Sequence, residues 1–99
     1  AHSSHLPHFA SYALLMTLMD LKEENISQFS GGGFGEFLRL TSSSPEMWAD
    51  IFALNKDNIN ASIDRFIGNL NHLKSTINSE PASIQALLVD LKNFKEENY

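Results

Sequence analysis

Three histidines near the start of the chain have a spacing that could serve chemistry. His2, His5 and His8 follow at intervals of three residues, so on a helix they share a face, with Tyr12 one turn further on. Zinc sites need three or four ligands with defined partners, and no carboxylate or cysteine lies close by, so we predict no metal site. The default interpretation is ordinary hydrogen bonding at a helix start. The remaining alternative is that one imidazole binds an anionic ligand.

The stretch Gly31–Arg39 is a second candidate, because it holds four of the five glycines and one of the two arginines. It does not fit a phosphate-binding loop: Glu36 stands where the third glycine belongs, no strand precedes it and no Gly-Lys-Ser/Thr follows. We predict a loop between helices, with the glycines forming a helix C-cap and tight turn or admitting a ligand closely.

Arg39 is the residue of this stretch most suited to binding. A guanidinium forks onto a carboxylate in a way that lysine cannot, so Arg39 could hold an acidic ligand. The alternative is an ion pair with Glu36, three residues back. The residues alone favour neither. Nearby, Trp48 is flanked by apolar residues, which favours a core position. Its closeness to Arg39 in the sequence also allows it to form part of a pocket wall.

The elements that must position these residues are helices. Ser3 or Ser4 can cap a first helix with Pro7 in its first turn. From Phe9 to Leu21 the chain is apolar nearly all round, which predicts a helix buried on every side. One chain of this size cannot easily surround such a helix, so we expect a second subunit or a missing domain to cover part of it.

Three further helices are predicted after the glycine-rich stretch. Ser44-Pro45-Glu46 has the order of an N-cap, an N1 proline and an acidic first turn. A bend at Asn55–Asn58 precedes the longest amphipathic segment, and Pro81 starts the last helix. No segment alternates like a strand. The sequence predicts an all-α fold of about five or six helices, intertwined with a second subunit.

Composition limits the class of function. The 99 residues carry 7 basic and 12 acidic side chains, a net charge of −5, which argues against nucleic-acid binding and against an anionic membrane surface. The absence of cysteine fits a reducing compartment, and we predict a cytoplasmic protein. The chain starts at Ala1 and enters an apolar helix almost at once, so we expect a piece of a longer polypeptide.

Three segments, taken together and in order, resemble one family. They are Ser4-His5-Leu6-Pro7-His8, then Gly31-Gly32-Gly33-Phe34-Gly35-Glu36-Phe37-Leu38-Arg39, then Pro45-Glu46-Met47-Trp48-Ala49-Asp50-Ile51 followed by Asn55-Lys56. They are similar to the C-terminal helical domain of prephenate dehydrogenases, which include the arogenate and cyclohexadienyl types. The resemblance covers essentially residues 1–99.

The resemblance implies a function in tyrosine biosynthesis. Members have an N-terminal Rossmann domain that binds NAD or NADP, and a helical domain through which two subunits form a homodimer. They oxidise prephenate or arogenate, and tyrosine can act as inhibitor. The catalytic histidine and the dinucleotide site lie in the N-terminal domain, so this chain alone is expected to hold no catalytic residue, bind no cofactor and be inactive.

The resemblance also assigns roles by position. Arg39 matches the family arginine that binds a substrate carboxylate, and His8 lines the same pocket with His5 as its neighbour. Residues expected near the cleft or the subunit interface are Gly32, Gly33, Glu36 and Trp48. The stretch before the arginine departs from the family, which often has Asp-x-Thr-Arg or Asp-Phe-Thr-Arg. Glu36 keeps the charge of the aspartate, but Leu38 lacks the hydroxyl of the threonine.

Two other functions are compatible with the residues. The chain could be a stand-alone helical module that binds an aromatic acid such as tyrosine without catalysis. It could also be a purely structural dimerisation domain, in which neither Arg39 nor His8 affects ligand affinity. An upstream strand–Gly-x-Gly-x-x-Gly–helix unit would favour the dehydrogenase over both.

Overall fold

The computed structural model describes residues 2–21 and 33–99, with side chains for residues 5–21 and 35–99. These residues form five helices and no strand: α1 His2–Leu21, α2 Gly33–Leu40, α3 Pro45–Leu54, α4 Lys56–Ile77 and α5 Pro81–Asn98. The all-α prediction is therefore confirmed for the described part. The sequence predicts a short helical turn at residues 26–30, before the glycines; that segment lies outside the described residues, as do Gly31 and Gly32.

The start of α1 differs from the prediction. The helix begins at His2, so Ser3 and Ser4 lie within it rather than capping it, and Pro7 is inside the helix rather than in its first turn. A proline there costs one i→i−4 hydrogen bond, because it has no N–H. The carbonyl of Pro7 accepts a bond from Ser11 Oγ at 2.8 Å. One lost bond does not outweigh the packing of the apolar residues that follow.

The C-terminal end of α1 is largely exposed within this chain. Ser11 and Leu18 are buried, whereas Met19 is 71% exposed and Met16 and Leu21 are also exposed. These exposed side chains agree with the expectation that this chain alone does not surround the helix. That a second subunit covers the rest stays a prediction.

The largest correction concerns the glycine-rich stretch. Residues 33–40 form helix α2 rather than a loop, and α2 packs against α1. Gly33 and Gly35 are poor helix formers, which favoured the loop prediction. Two charged residues favour the helix: Glu36 in the first turn and Arg39 in the last turn both interact favourably with the helix dipole. They also form an i,i+3 ion pair.

The start of α3 and its junction with α4 are as predicted. Ser44 is the N-cap of α3, its Oγ accepts from the Met47 N–H at 3.2 Å, and Pro45 follows at N1. Asn55 ends α3, and its carbonyl accepts from the Ile59 N–H at 2.9 Å as α4 begins. These caps fix the direction in which α3 leaves the polar segment Thr41–Ser44, and therefore the position of Trp48.

The chain divides into two compact units, Ala1–Ile63 and Asp64–Tyr99. The first has a small core in which Leu18, Trp48 and Ile59 are buried. The second contains the remainder of α4 and α5, and its apolar residues are half-buried or exposed. Among the described residues, no helix combines the length and apolarity needed to cross a membrane.

Two helical glycines offer a test of the α2 assignment. A Cβ added at Gly35 in α2 or at Gly68 in α4 would meet no atom within 4 Å. We expect Gly35→Ala and Gly68→Ala each to raise the free energy of unfolding by about 0.5–1 kcal/mol, because alanine restricts the unfolded chain. Urea unfolding followed by circular dichroism measures both. Destabilisation by Gly35→Ala, with Gly68→Ala stabilising, would contradict a helical conformation at residue 35.

Truncation of Trp48 tests the core of the first unit. Trp48 is 8% exposed, so Trp48→Ala should lower the free energy of unfolding by about 3–5 kcal/mol through lost burial and a residual cavity. Met47→Ala is the matched control, because Met47 precedes it on α3 and is 51% exposed. Thermal unfolding followed by circular dichroism compares the two. Equal effects would show that Trp48 is not a core residue.

Candidate functional site

The site begins with the face of α1 that carries the histidines. His5 and His8 are three residues apart and Tyr12 is four further on, so the helical repeat places all three side chains along one side. Helix α3 presents Trp48 and Phe52 at a spacing of four. Aromatic rings from two helices thus meet within the first unit.

The indole of Trp48 is the centre of this arrangement. The His8 imidazole stacks on it with ring centroids 3.8 Å apart and planes 19° from parallel. His5 approaches it edge-on at 6.0 Å and 88°. Stacked and edge-to-face contacts are the arrangements that aromatic quadrupoles favour. The structure therefore brings together three residues that the sequence singled out, His5, His8 and Trp48.

A hollow of about 290 Å³ opens beside Trp48. Tyr12 and Phe52 meet edge-to-face at 6.3 Å, and Phe52 lies 5.6 Å from Trp48, so aromatic rings form much of its wall. The residues that complete the lining are Thr41, Ser43, Pro45 and Ala49. Apolar walls with hydroxyls from Tyr12, Thr41 and Ser43 suit an aromatic or cyclic ligand that also carries polar groups. The expected pocket-walling role of Trp48 fits this geometry.

Ser43 is a residue that the sequence reasoning missed. Its Oγ lies 3.4 Å from His8 Nε2, within long hydrogen-bonding distance, and the donor depends on the histidine tautomer. The two residues are 35 positions apart, so no local spacing could have paired them. The contact joins α1 to the segment between α2 and α3.

In the structure, Arg39 forms the ion pair with Glu36 that was the alternative to ligand binding. Its Nη2 donates to Glu36 Oε1 at 3.1 Å, and the two side chains are 68% and 73% exposed. A pair this exposed stabilises α2 only slightly. A guanidinium carries five N–H donors, so the pair leaves Arg39 able to hold a ligand carboxylate as well. The prediction that Arg39 binds substrate remains a prediction.

The remaining predicted site residues are the glycines Gly32 and Gly33. Gly33 is the first residue of α2, whereas Gly32 lies outside the described residues. Within the residues that the structure describes, no three His, Asp or Glu side chains are grouped to hold a metal ion. What the site beside Trp48 offers chemically is hydrogen bonding from imidazoles and hydroxyls, and aromatic surface. Arg39 is not among its lining residues; it lines a separate hollow with Glu36, Phe37 and Leu40.

Comparison with known proteins identifies relatives of this chain. The family described as "Prephenate dehydrogenase, dimerization domain" matches residues 1–93. A prephenate dehydrogenase of Bacillus subtilis is 34% identical over 80% of this chain and 22% of its own length. A cyclohexadienyl dehydrogenase of Zymomonas mobilis is 30% identical over 97% of this chain and 32% of its own length.

The chain thus spans a fifth to a third of the relatives' length. No solved structure matches it significantly. The family match covers nearly the whole chain, and the histidine pair and Trp48 that carried the resemblance meet in one place in the fold. The chain belongs to the prephenate dehydrogenase dimerization-domain family.

Proposed function

We propose that residues 1–99 are the dimerisation and substrate-binding domain of an NAD- or NADP-dependent dehydrogenase that acts on prephenate or arogenate. Family membership carries the proposal, and the names of the two relatives support the substrate class. The complete enzyme would bind the nicotinamide through a separate domain and work in the cytoplasm. This chain alone would be inactive.

The role of this chain in the reaction is to bind and orient the substrate. Prephenate is a cyclic acid with two carboxylates and a ring hydroxyl; its oxidation releases carbon dioxide and gives 4-hydroxyphenylpyruvate. When bound, the nicotinamide supplies the hydride acceptor. Arg39 suits one substrate carboxylate, because its guanidinium can form two parallel hydrogen bonds. His8, with His5 beside it, supplies hydrogen bonds at the aromatic surface of Trp48.

The second part of the proposal is a homodimer. Large apolar side chains are exposed on α1 at Met16 and Met19, and on α5 at Leu88, Leu91 and Phe94. On α5 the three residues recur at a spacing of three and so share one face, and an exposed apolar face is typical of a protein–protein interface. The family description supports a second copy of the chain as its occupant.

The substrate role is tested in the complete enzyme. Nicotinamide reduction is measured with prephenate and arogenate, each offered with NAD and NADP. Arg39→Ala should weaken substrate binding by about 2–5 kcal/mol, because a substrate carboxylate loses its charged partner. Arg65→Ala is the matched control, since Arg65 is the other arginine and is exposed on α4.

Two results would count against this role. If Arg39→Ala leaves KM and kcat unchanged, Arg39 is only the partner of Glu36. If the complete, folded dimer turns over neither substrate, a non-catalytic module that binds an aromatic acid becomes the better interpretation.

The dimer is tested by sedimentation. The chain should sediment as a dimer at micromolar concentration, and Leu88→Glu with Leu91→Glu should shift it towards monomer, because each buries a charge at an apolar interface. Gln85→Glu with Asn93→Glu adds the same two charges at exposed polar positions of α5 and should leave the dimer intact. A monomeric wild-type chain would contradict the proposal.

A further inference from the structure

The second unit, Asp64–Tyr99, lacks a core of its own within the single chain. All of its side chains are half-buried or exposed, whereas the buried apolar side chains among the described residues, Leu18, Trp48 and Ile59, belong to the first unit. Burial of apolar surface is the dominant favourable contribution to folding. The second unit therefore has little of that contribution to offset the entropy lost when its backbone is ordered.

Helix α5 also has weak local support. Its N-cap residue, Glu80, makes no side-chain capping bond, whereas Ser44 caps α3 through its hydroxyl. Among the described helices, α1 and α2 are the pair whose backbones run close together, and α4 and α5 do not form such a pair. Short isolated helices are marginal in water, and most helical stability in proteins comes from packing of an apolar face. The single chain provides α5 with little surface for that packing.

The sequence of α5 nevertheless has the repeat of a helix that packs along another helix. Large apolar residues recur at spacings of three, four and three, at Ile84, Leu87, Leu91 and Phe94. The first two are half-buried, whereas Leu91 is 50% and Phe94 59% exposed. The helix therefore presents an apolar seam that is only partly covered.

A second copy of this chain is the occupant that fits the seam. The matching family is described as a dimerization domain, and a twofold dimer places the same patch of both copies face to face. An apolar seam can pair with itself in that arrangement, because like side chains meet without charge repulsion. The second half of α4 adds exposed apolar side chains at Leu70 and Ile77, so both helices of the unit have surface to bury against the other copy.

We propose that Asp64–Tyr99 completes its folding only against a second copy. This dependence rests on the proposed homodimer and assigns the coupling to one part of the chain. In the monomer, the first unit keeps its core, and Ile59 still anchors the start of α4. Beyond that point, α5 and the adjoining end of α4 open and close freely, because no buried side chain holds them. In the dimer, the seams of the two copies cover each other and both helices become stable.

Amide hydrogen exchange, read by mass spectrometry over a dilution series of the 99-residue chain, tests this folding step. Sedimentation gives the monomer fraction at each concentration. In the monomer, amides of α5 should exchange within about tenfold of the rate of an unstructured peptide, and in the dimer far more slowly, while amides of α3 stay protected in both states.

Three results of the dilution series would overturn the inference. If α5 is equally protected in monomer and dimer, the inference fails and the homodimer stands. If α3 loses protection together with α5, the whole chain depends on association, and the second unit is not distinct. If the chain stays monomeric at every concentration, the homodimer fails and the second copy is not the occupant.

Two variants give the same comparison at one concentration. Leu88→Glu with Leu91→Glu should be monomeric with α5 unprotected, whereas Gln85→Glu with Asn93→Glu, at exposed polar positions, should keep the dimer and its protection. Both place two glutamates on α5, so an effect of charge on the helix alone would appear in both. A Leu88→Glu, Leu91→Glu variant that remains dimeric, or that is monomeric with α5 protected, would contradict the proposal.

Discussion

The packing of a single indole is the constraint on which the first unit depends. Among the residues that the structure describes, Trp48 is one of three buried apolar side chains, and its ring contacts two histidines of α1 and Phe52 of its own helix. The same ring therefore stabilises the unit and forms a wall of the candidate site. Because its position follows from the capped start of α3, the Ser44 cap affects both stability and site geometry.

The described part of the chain buries only a few apolar side chains. Small domains bury a modest share of their unfolded surface and are correspondingly marginal in stability. Here apolar side chains on α1, α4 and α5 remain exposed. In a dimer, burial of such surface would add to the stability of each subunit, so folding and association would depend on each other. This fits a family described by its dimerisation.

Local chemistry predicted much of the fold, and tertiary contacts account for the rest. The Ser44-Pro45 start, the Asn55 junction and the Pro81 start each follow from capping or proline geometry within a few residues. Helix α2 was missed because glycine propensity is a weak prior that packing against α1 overrides. In the site, spacing singled out His5 and His8 and the family resemblance assigned them to a pocket, but Ser43 meets His8 across 35 residues, which no local pattern encodes.

The stacked histidine gives this protein a built-in optical signal. Trp48 is the only tryptophan, so its fluorescence comes from one ring whose face is covered by the His8 imidazole. Indole emission responds to the groups in contact with it and to local polarity. Any compound that enters the adjoining hollow or moves His8 would change this emission, and occupancy of the site could be followed in the unlabelled protein without waiting for turnover.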